Sequence, residues 1–271
     1  MGKTRQLLDG NKIPADGFGV FLIPNDMVED PVLSAIDIGY RHIDTASIYK
    51  NEQGVGKAIK RSGVHRDHLF ITTKIWNDSQ GRDKTRQSCL QSLEKLNTTY
   101  LNCLLIHWPV PSRGLFIETW KEMIALRDEG LVKSIGVSNF NQEHLKQLIK
   151  STGETPVLNQ IECHPWLQQE SLRNYHADLG IATVSWSPLA RGSLLEDAII
   201  QSIAKKYQST TAQVILSWHH QIGNIPVTKS VHPSRIKQNL ESQIVLDQSD
   251  LNLIQSLEKG QRIGPDPNTM S

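Results

Sequence analysis

The sequence is poor in most of the features that would assign it to a special class. It has three cysteines in 271 residues, Cys89, Cys103 and Cys163, with no Cys-x-x-Cys pair. That excludes a disulfide framework. Neither sign of charge is in excess: 29 Lys and Arg face 28 Asp and Glu, for a formal charge of +1. Such a balance argues against a nucleic-acid or anionic-membrane protein, although a local basic pocket stays open. No apolar run approaches the ~18 residues of a membrane span. No apolar stretch follows Met1–Gln6 as a signal peptide would require. Two Asn-x-Ser/Thr matches, at Asn77 and Asn97, carry no weight without secretion. A cytosolic location is the expectation. With 38% hydrophobic residues and 18 glycines a sizeable core can form. The length suits one barrel-type domain over residues 1–271.

What is present is a rhythm. Asp9-Gly10 between Arg5–Leu8 and Lys12-Ile13-Pro14 predicts an N-terminal hairpin. Eight β-branched or aromatic runs follow: Phe18–Leu22, Arg41–Asp44, Leu69–Lys74, Cys103–His107, Val132–Val137, Leu158–Glu162, Ile181–Trp186 and Ile225–Thr228. Helical spacing fills the intervals. Cys89, Leu90, Leu93 and Leu96 share a face in 83–97. Trp120, Met123 and Ile124 do so in 118–129, where Gly130 is placed as a stop. Asn141 is placed to cap a helix with Leu145, Leu148 and Ile149 inside. Eight such units close naturally into a (β/α)8 TIM barrel, with the hairpin across its bottom. The rival open dinucleotide-binding sheet lacks its fingerprint, because Gly17-Phe18-Gly19 is followed by Val20-Phe21-Leu22. Gly54-Val55-Gly56-Lys57 is no phosphate-binding P-loop either.

Barrel chemistry sits at the C-terminal ends of the strands. There the sequence offers Asp44 with Tyr49 nearby, then Lys74, His107, Ser138-Asn139, Gln160, Trp186-Ser187 and Lys229-Ser230. Each has a structural reading when taken alone: a solvent-reaching lysine, a loop-capping aspartate, a packed tyrosine, a core histidine. Together Asp44, Tyr49, Lys74 and His107 make an acid device. A phenol normally titrates near ~10, and a neighbouring ammonium lowers that value. A carboxylate can hold the lysine charged, and a neutral imidazole can fix a carbonyl. Such a group protonates an oxygen on which negative charge develops. No His-Glu-x-x-His pattern is present, and His219-His220 cannot share one helix face, so no metal site is expected. With neither a metal nor a nucleophilic Ser or Cys arrangement, hydride delivery from a reduced nicotinamide is the natural partner step.

These residues are familiar. Gly39-Tyr40-Arg41-His42-Ile43-Asp44-Thr45-Ala46 with Tyr49-Lys50-Asn51-Glu52 and Gly56 resembles the first signature of the aldo-keto reductase superfamily. Lys133 to Phe140 resembles the second, and Lys229-Ser230 with Arg235-Ile236 and Asn239 the third. The resemblance runs from end to end. It implies an NADPH/NADP+-dependent barrel with Tyr49 as general acid, Lys74 and Asp44 tuning it, and His107 orienting the substrate carbonyl. It implies Ser138, Asn139 and Gln160 on the nicotinamide carboxamide and Trp186 stacked on the ring. Ser187, Pro188 and Leu189 would run along the pyrophosphate. Lys229, Ser230 and Arg235 would grip the 2′-phosphate, and Gln238 and Asn239 would meet adenine. A dianionic phosphate suits an arginine fork plus an ammonium. The third signature departs from the usual pattern at Thr228, where proline is common, and at Gln238, where glutamate is common.

Within the family the chain resembles the bacterial 2,5-diketo-D-gluconate reductase and methylglyoxal reductase branch. Trp108-Pro109-Val110-Pro111, Ser185 to Ala190 and Arg262 to Pro267 carry that likeness. It implies small 2-oxo, dicarbonyl or keto-sugar substrates. Short segments after Pro109 and Pro267 predict an open pocket walled by Phe21, Trp76 and Trp108. The expected protein is a monomer that takes small carbonyl compounds. Two rival readings remain: a nicotinamide-binding barrel acting as a non-catalytic regulatory subunit, and an aldolase using Lys74 as a Schiff-base nucleophile.

Overall fold

The computed structural model describes residues 3–241 and 244–270. An antiparallel hairpin of β1 (Thr4–Gln6) and β2 (Lys12–Pro14) precedes eight parallel strands. These are β3 (Gly17–Gly19), β4 (His42–Asp44), β5 (Phe70–Ile75), β6 (Leu101–Ile106), β7 (Val132–Ser138), β8 (Leu158–Glu162), β9 (Ala182–Trp186) and β10 (Ile225–Thr228). They close into a barrel in that order, β10 pairing with both β9 and β3. Helices follow the strands: α1 (Glu29–Ile38), α2 (Glu52–Arg61), α3 (Arg82–Leu96), α4 (Phe116–Asp128), α5 (Gln142–Thr152), α6 (Glu170–Asp178), α7 (Ala198–Lys206), α8 (Thr211–Gln221), α9 (Pro233–Leu240) and α10 (Gln248–Gln255). This is the expected (β/α)8 architecture. No helix among the described residues is long and apolar enough to cross a membrane.

Period-two alternation sorts each strand. On β5, Ile71 and Ile75 join the large cluster between sheet and helices. Phe70 faces the other way, into a cluster with Cys103, Leu105, Leu158, Val184, Ile225 and Val227 inside the barrel. Thr72 and Lys74 continue the inward row. Leu7 and Ile13 of the hairpin belong to the same interior cluster, so the hairpin closes the floor. Each such fully buried side chain stabilises the fold by about 1.5–3 kcal/mol. The hairpin turn runs through Gly10 at φ +86, where Leu7 N–H donates to Asn11 O at 2.8 Å. Leu7 and Leu8 therefore belong to the turn and not to the expected first arm.

The first barrel strand is the main correction. It spans Gly17–Gly19 instead of Phe18–Leu22. Its inward positions leave no room for a side chain: a Cβ on Gly17 would lie 2.8 Å from Val227 Cγ2 and 2.9 Å from His42 Nδ1. After Gly19, Val20 N–H still reaches Asp44 O at 3.2 Å, but Leu22 adopts φ 61 and the chain turns away. The other strands fall within about two residues of expectation, and β8 and β10 match it. In α3, Cys89, Leu93 and Leu96 are buried, but Leu90 is 46% exposed, since one residue rotates ~100° around the helix. Asn141 caps α5 as expected, its Oδ1 accepting His144 N–H at 2.9 Å. α7 and α10 are additions to the eightfold scheme. Ile200, Ile203, Ile254 and Leu257 join them in a satellite core.

Candidate active site

The strand register brings the acid device together at the C-terminal end of the barrel. Asp44 ends β4 and Lys74 lies near the end of β5, both pointing inward on adjacent strands. Lys74 Nζ donates to Asp44 Oδ1 at 2.6 Å and to Thr45 O at 2.8 Å. The lysine side chain is fully buried, so a solvent-reaching role is excluded. The second oxygen of Asp44 accepts Gln160 Nε2–H at 2.8 Å across the barrel. Breaking one half of such a buried pair costs about 3–5 kcal/mol.

Tyr49 arrives on a short 3-10 turn, Ser47–Tyr49, pinned by Ser47 Oγ donating to Lys74 O at 2.9 Å. Its ring centroid lies 5.2 Å from Lys74 Nζ, and the ammonium hydrogen-bonds its hydroxyl. The ring is half-buried. Burial raises the pKa of the phenol, the Lys74 charge and hydrogen bond pull it down, Asp44 adds a smaller upward push, and burial wins. This corrects the expected net lowering. The cation offsets part of a desolvation penalty, and Tyr49 keeps its proton throughout the neutral range. Lys74 shows the opposite contest: burial lowers its pKa, but Asp44 and Tyr49 together leave it raised. The ammonium is therefore permanently charged at neutrality.

His107 follows β6, its N–H donating to Ile75 O at 3.0 Å. Its ring meets Tyr49 edge-on at 5.8 Å and Trp76 at 5.0 Å. Burial, with a smaller contribution from Lys74, lowers its pKa well below the ordinary value, so the imidazole is neutral. Its buried Nδ1 has no partner among the described residues. An orphaned N–H is rarer than an orphaned acceptor, which assigns the single proton to Nε2. Phe21 packs on Tyr49 at 5.1 Å and is 46% exposed. Trp76 is half-buried. Trp108 stacks behind His107 at 6.4 Å and is only 6% exposed. It backs the histidine more than it lines an opening.

The remaining predicted residues form a second arc. Ser138 Oγ donates to Gln160 O at 2.8 Å, and Asn139, at φ 62, donates from Nδ2 to His107 O and Ser138 Oγ, both at 3.0 Å. Trp186 Nε1–H donates to Asn139 Oδ1 at 2.8 Å. Ser187 turns the chain at φ 49, and Pro188 O lies 3.3 Å from His219 Nε2. Beyond β10, Ser230 Oγ accepts His232 N–H at 3.1 Å just before α9. Lys229, Arg235 and Gln238 are exposed, while Asn239 is buried. Neither Lys229 nor Arg235 has an ion-pair partner among the described residues. Thr228 is held by the Tyr40 hydroxyl at 3.1 Å, which gives this departure from the usual proline a partner of its own. No group of three His, Cys, Asp or Glu side chains among the described residues is arranged to hold a metal ion.

Glu162 was not singled out in the sequence, yet it is fully buried and ties the C-terminal segment to β8 through Ile263 N–H at 2.6 Å. The available signal was a carboxylate two residues after Gln160, on the same inward-pointing row of the strand.

The family model for the "Aldo/keto reductase family" matches residues 22–259, and the chain belongs to that family. It is an oxidoreductase barrel by fold and membership. An aldo-keto reductase of Mycolicibacterium smegmatis is 50% identical over 98% of this chain and 97% of its own length. The methylglyoxal reductase DkgA of Escherichia coli K12 is 47% identical over 97% and 96%. Among solved structures, an aldo/keto reductase from Brucella melitensis superposes with TM-score 0.93 at 51% identity, over 95% of this chain and 98% of that one. A variant of Gox0644 in complex with NADPH superposes with TM-score 0.96 at 43% identity, over 100% and 99%.

Proposed function

We propose that this chain reduces aldehydes and ketones to alcohols with NADPH, and that Tyr49 is the proton donor. Its substrates are small 2-oxo or dicarbonyl compounds and keto-sugars, of which methylglyoxal and 2,5-diketo-D-gluconate are the first to test. The observation that carries this reading is the buried Asp44–Lys74 pair beneath the Tyr49 hydroxyl, with a neutral His107 alongside. The similarity to DkgA supports the substrate class, and the similarity to the NADPH-bound Gox0644 variant supports the cofactor.

The donor set fits NADPH. Lys229 and Arg235 are exposed cations at the start of α9 without carboxylate partners among the described residues, which suits a site for a 2′-phosphate. Ser230, Gln238 and Asn239 lie beside them. Ser138, Asn139 and Gln160 would hold the carboxamide, Trp186 the ring face, and Ser187, Pro188 and Leu189 the pyrophosphate. Bound NADPH supplies the hydride that the carbonyl carbon receives. His107 Nε2–H orients the carbonyl oxygen by a hydrogen bond. As negative charge gathers on that oxygen, Tyr49 gives it a proton. Lys74 stabilises the phenolate left behind, and Asp44 keeps the ammonium in place. Phe21 and Trp76 wall the opening, with Trp108 behind. The three cysteines are free and buried, which suits a reducing cytosol, and the working form we propose is a monomer.

The aldolase reading is disfavoured because a lysine with a raised pKa in a buried ion pair is a poor amine nucleophile. A purely regulatory subunit has no use for the acid device. The experiment is NADPH consumption with methylglyoxal by the parent and by Tyr49→Phe. The expected result is turnover in the parent, lost in the variant while NADPH binding persists. Parent-level turnover in Tyr49→Phe would overturn the proton-donor role.

A further inference from the structure

Strand β8 ends with two polar residues pointing into the barrel mouth, Gln160 and Glu162. Gln160 is bound to Asp44. Glu162 pairs in register with Trp186 on β9, and its carboxylate is wholly buried. Its partners come mostly from far along the chain. Oε1 accepts Ile263 N–H at 2.6 Å and lies 3.0 Å from His164 Nε2. Oε2 accepts Gly264 N–H at 3.2 Å and lies 3.8 Å from Arg262 Nη1. The segment so held has no regular secondary structure over 259–264. Its other anchors are Lys259 and Gln261 N–H, both on Trp166 O at 3.1 Å, and Asn268 Oδ1, which accepts from Asn141 Nδ2 at 2.6 Å.

Gly264 is the point of contact. Its φ lies outside the left-handed region, so the backbone does not demand glycine there. Space does. A Cβ would lie far inside contact distance of Trp186 Cη2, 3.2 Å from Cζ3 and 3.3 Å from Glu162 Oε2. The indole is thus held at two edges: its N–H on Asn139, its benzo edge against the Gly264 backbone.

We propose that Glu162 and Gly264 are positioning residues for Trp186. Glu162 docks the C-terminal segment, and the docked glycine sets the plane of the indole that carries the nicotinamide. The inference rests on the reading that Trp186 is that platform. Both act through the indole they hold.

The test uses the full-length chain. The first readout needs no cofactor. The indole N–H resonance of Trp186, identified by its loss in Trp186→Phe, should shift in both Gly264→Ala and Glu162→Gln. The second is NADPH affinity measured by calorimetry. Gly264→Ala should weaken it by roughly tenfold, the scale of a modest overpacking strain. Glu162→Gln should weaken it less, with KM for NADPH rising more than kcat falls. In a Trp186→Phe background the smaller ring vacates the space, so adding Gly264→Ala should have little further effect. An unmoved indole resonance in both variants would overturn the clamp, whatever the cofactor does. So would equal weakening by Gly264→Ala with Trp or Phe at 186. If NADPH binding were unchanged in Trp186→Phe while the resonance shifts stood, the platform reading, and the proposal resting on it, would fall instead.

Discussion

Two corners of the same barrel mouth are built on opposite plans. The acid corner is closed on itself: Lys74 and both Asp44 oxygens are committed to buried partners. The cationic corner at the start of α9 is open: Lys229 and Arg235 stand exposed, with no carboxylate among the described residues paired to them. A device that must hold a proton at one atom gains from preorganisation, because its dipoles need not rearrange during reaction. A clamp for a charged ligand gains from leaving its charges unpaired until the ligand brings the counter-charge. Substitutions should therefore strike turnover and stability in the first corner and selectivity in the second.

The largest effect should come from Tyr49→Phe, with kcat falling about 10²–10⁴-fold, the range of general acid catalysis. Calorimetric NADPH affinity should change little. Next is Lys74→Met, which strands Asp44 as a buried charge. Denaturant unfolding should show a loss of about 3–5 kcal/mol, and turnover should drop as well. In the open corner, Arg235→Ala should leave the melting temperature near that of the parent. NADPH binding should weaken by about 10–150-fold, the equivalent of a charge-assisted hydrogen bond of about 1.5–3 kcal/mol. NADH binding should hardly move, and equal losses for both would break the contrast.

A smaller effect concerns pH and belongs to the core beneath both corners. His42 bonds Thr72 inside the barrel at 3.0 Å, and burial pulls its pKa down to about 4 from 6.5. His176 is likewise lowered to about 4, chiefly by burial. A group depressed in the folded state binds protons more readily when unfolded. Its contribution to stability is full above about pH 6.5 and is lost as pH falls through 4. Melting temperature should therefore decline between those values, and His42→Gln should flatten the decline.

The contrast also explains what could be read from the sequence. Asp44, Lys74, His107 and Gln160 were legible because strand ends in a barrel point their polar residues at one place, and the fold brings them there. The proposed clamp role of Lys229 and Arg235 comes only through the family signature, since on an exposed helix start they look like any solvated surface. The Gly17–Gly19 strand was not legible. Its glycines answer to Val227 and His42, far away in the chain, and no local propensity encodes that. The same holds for Glu162 and Gly264, whose meaning lies in a contact spanning about a hundred residues. The net direction at Tyr49 was misread for a similar reason: the lysine neighbour is visible in a motif, whereas burial depends on the whole fold.

The central claim is that the Tyr49 hydroxyl donates the proton and that Lys74 partly offsets its burial. It is tested most directly by the pH dependence of single-turnover methylglyoxal reduction in the parent and in Lys74→Met. The account predicts a parent rate that stays level through the neutral range and falls only at a pH above the ordinary phenol range, because burial raises the Tyr49 pKa. It predicts a Lys74→Met rate that is lower throughout, with the fall moved to still higher pH. A parent rate that already falls between pH 6 and 8, or a Lys74→Met profile that overlays the parent, would contradict it.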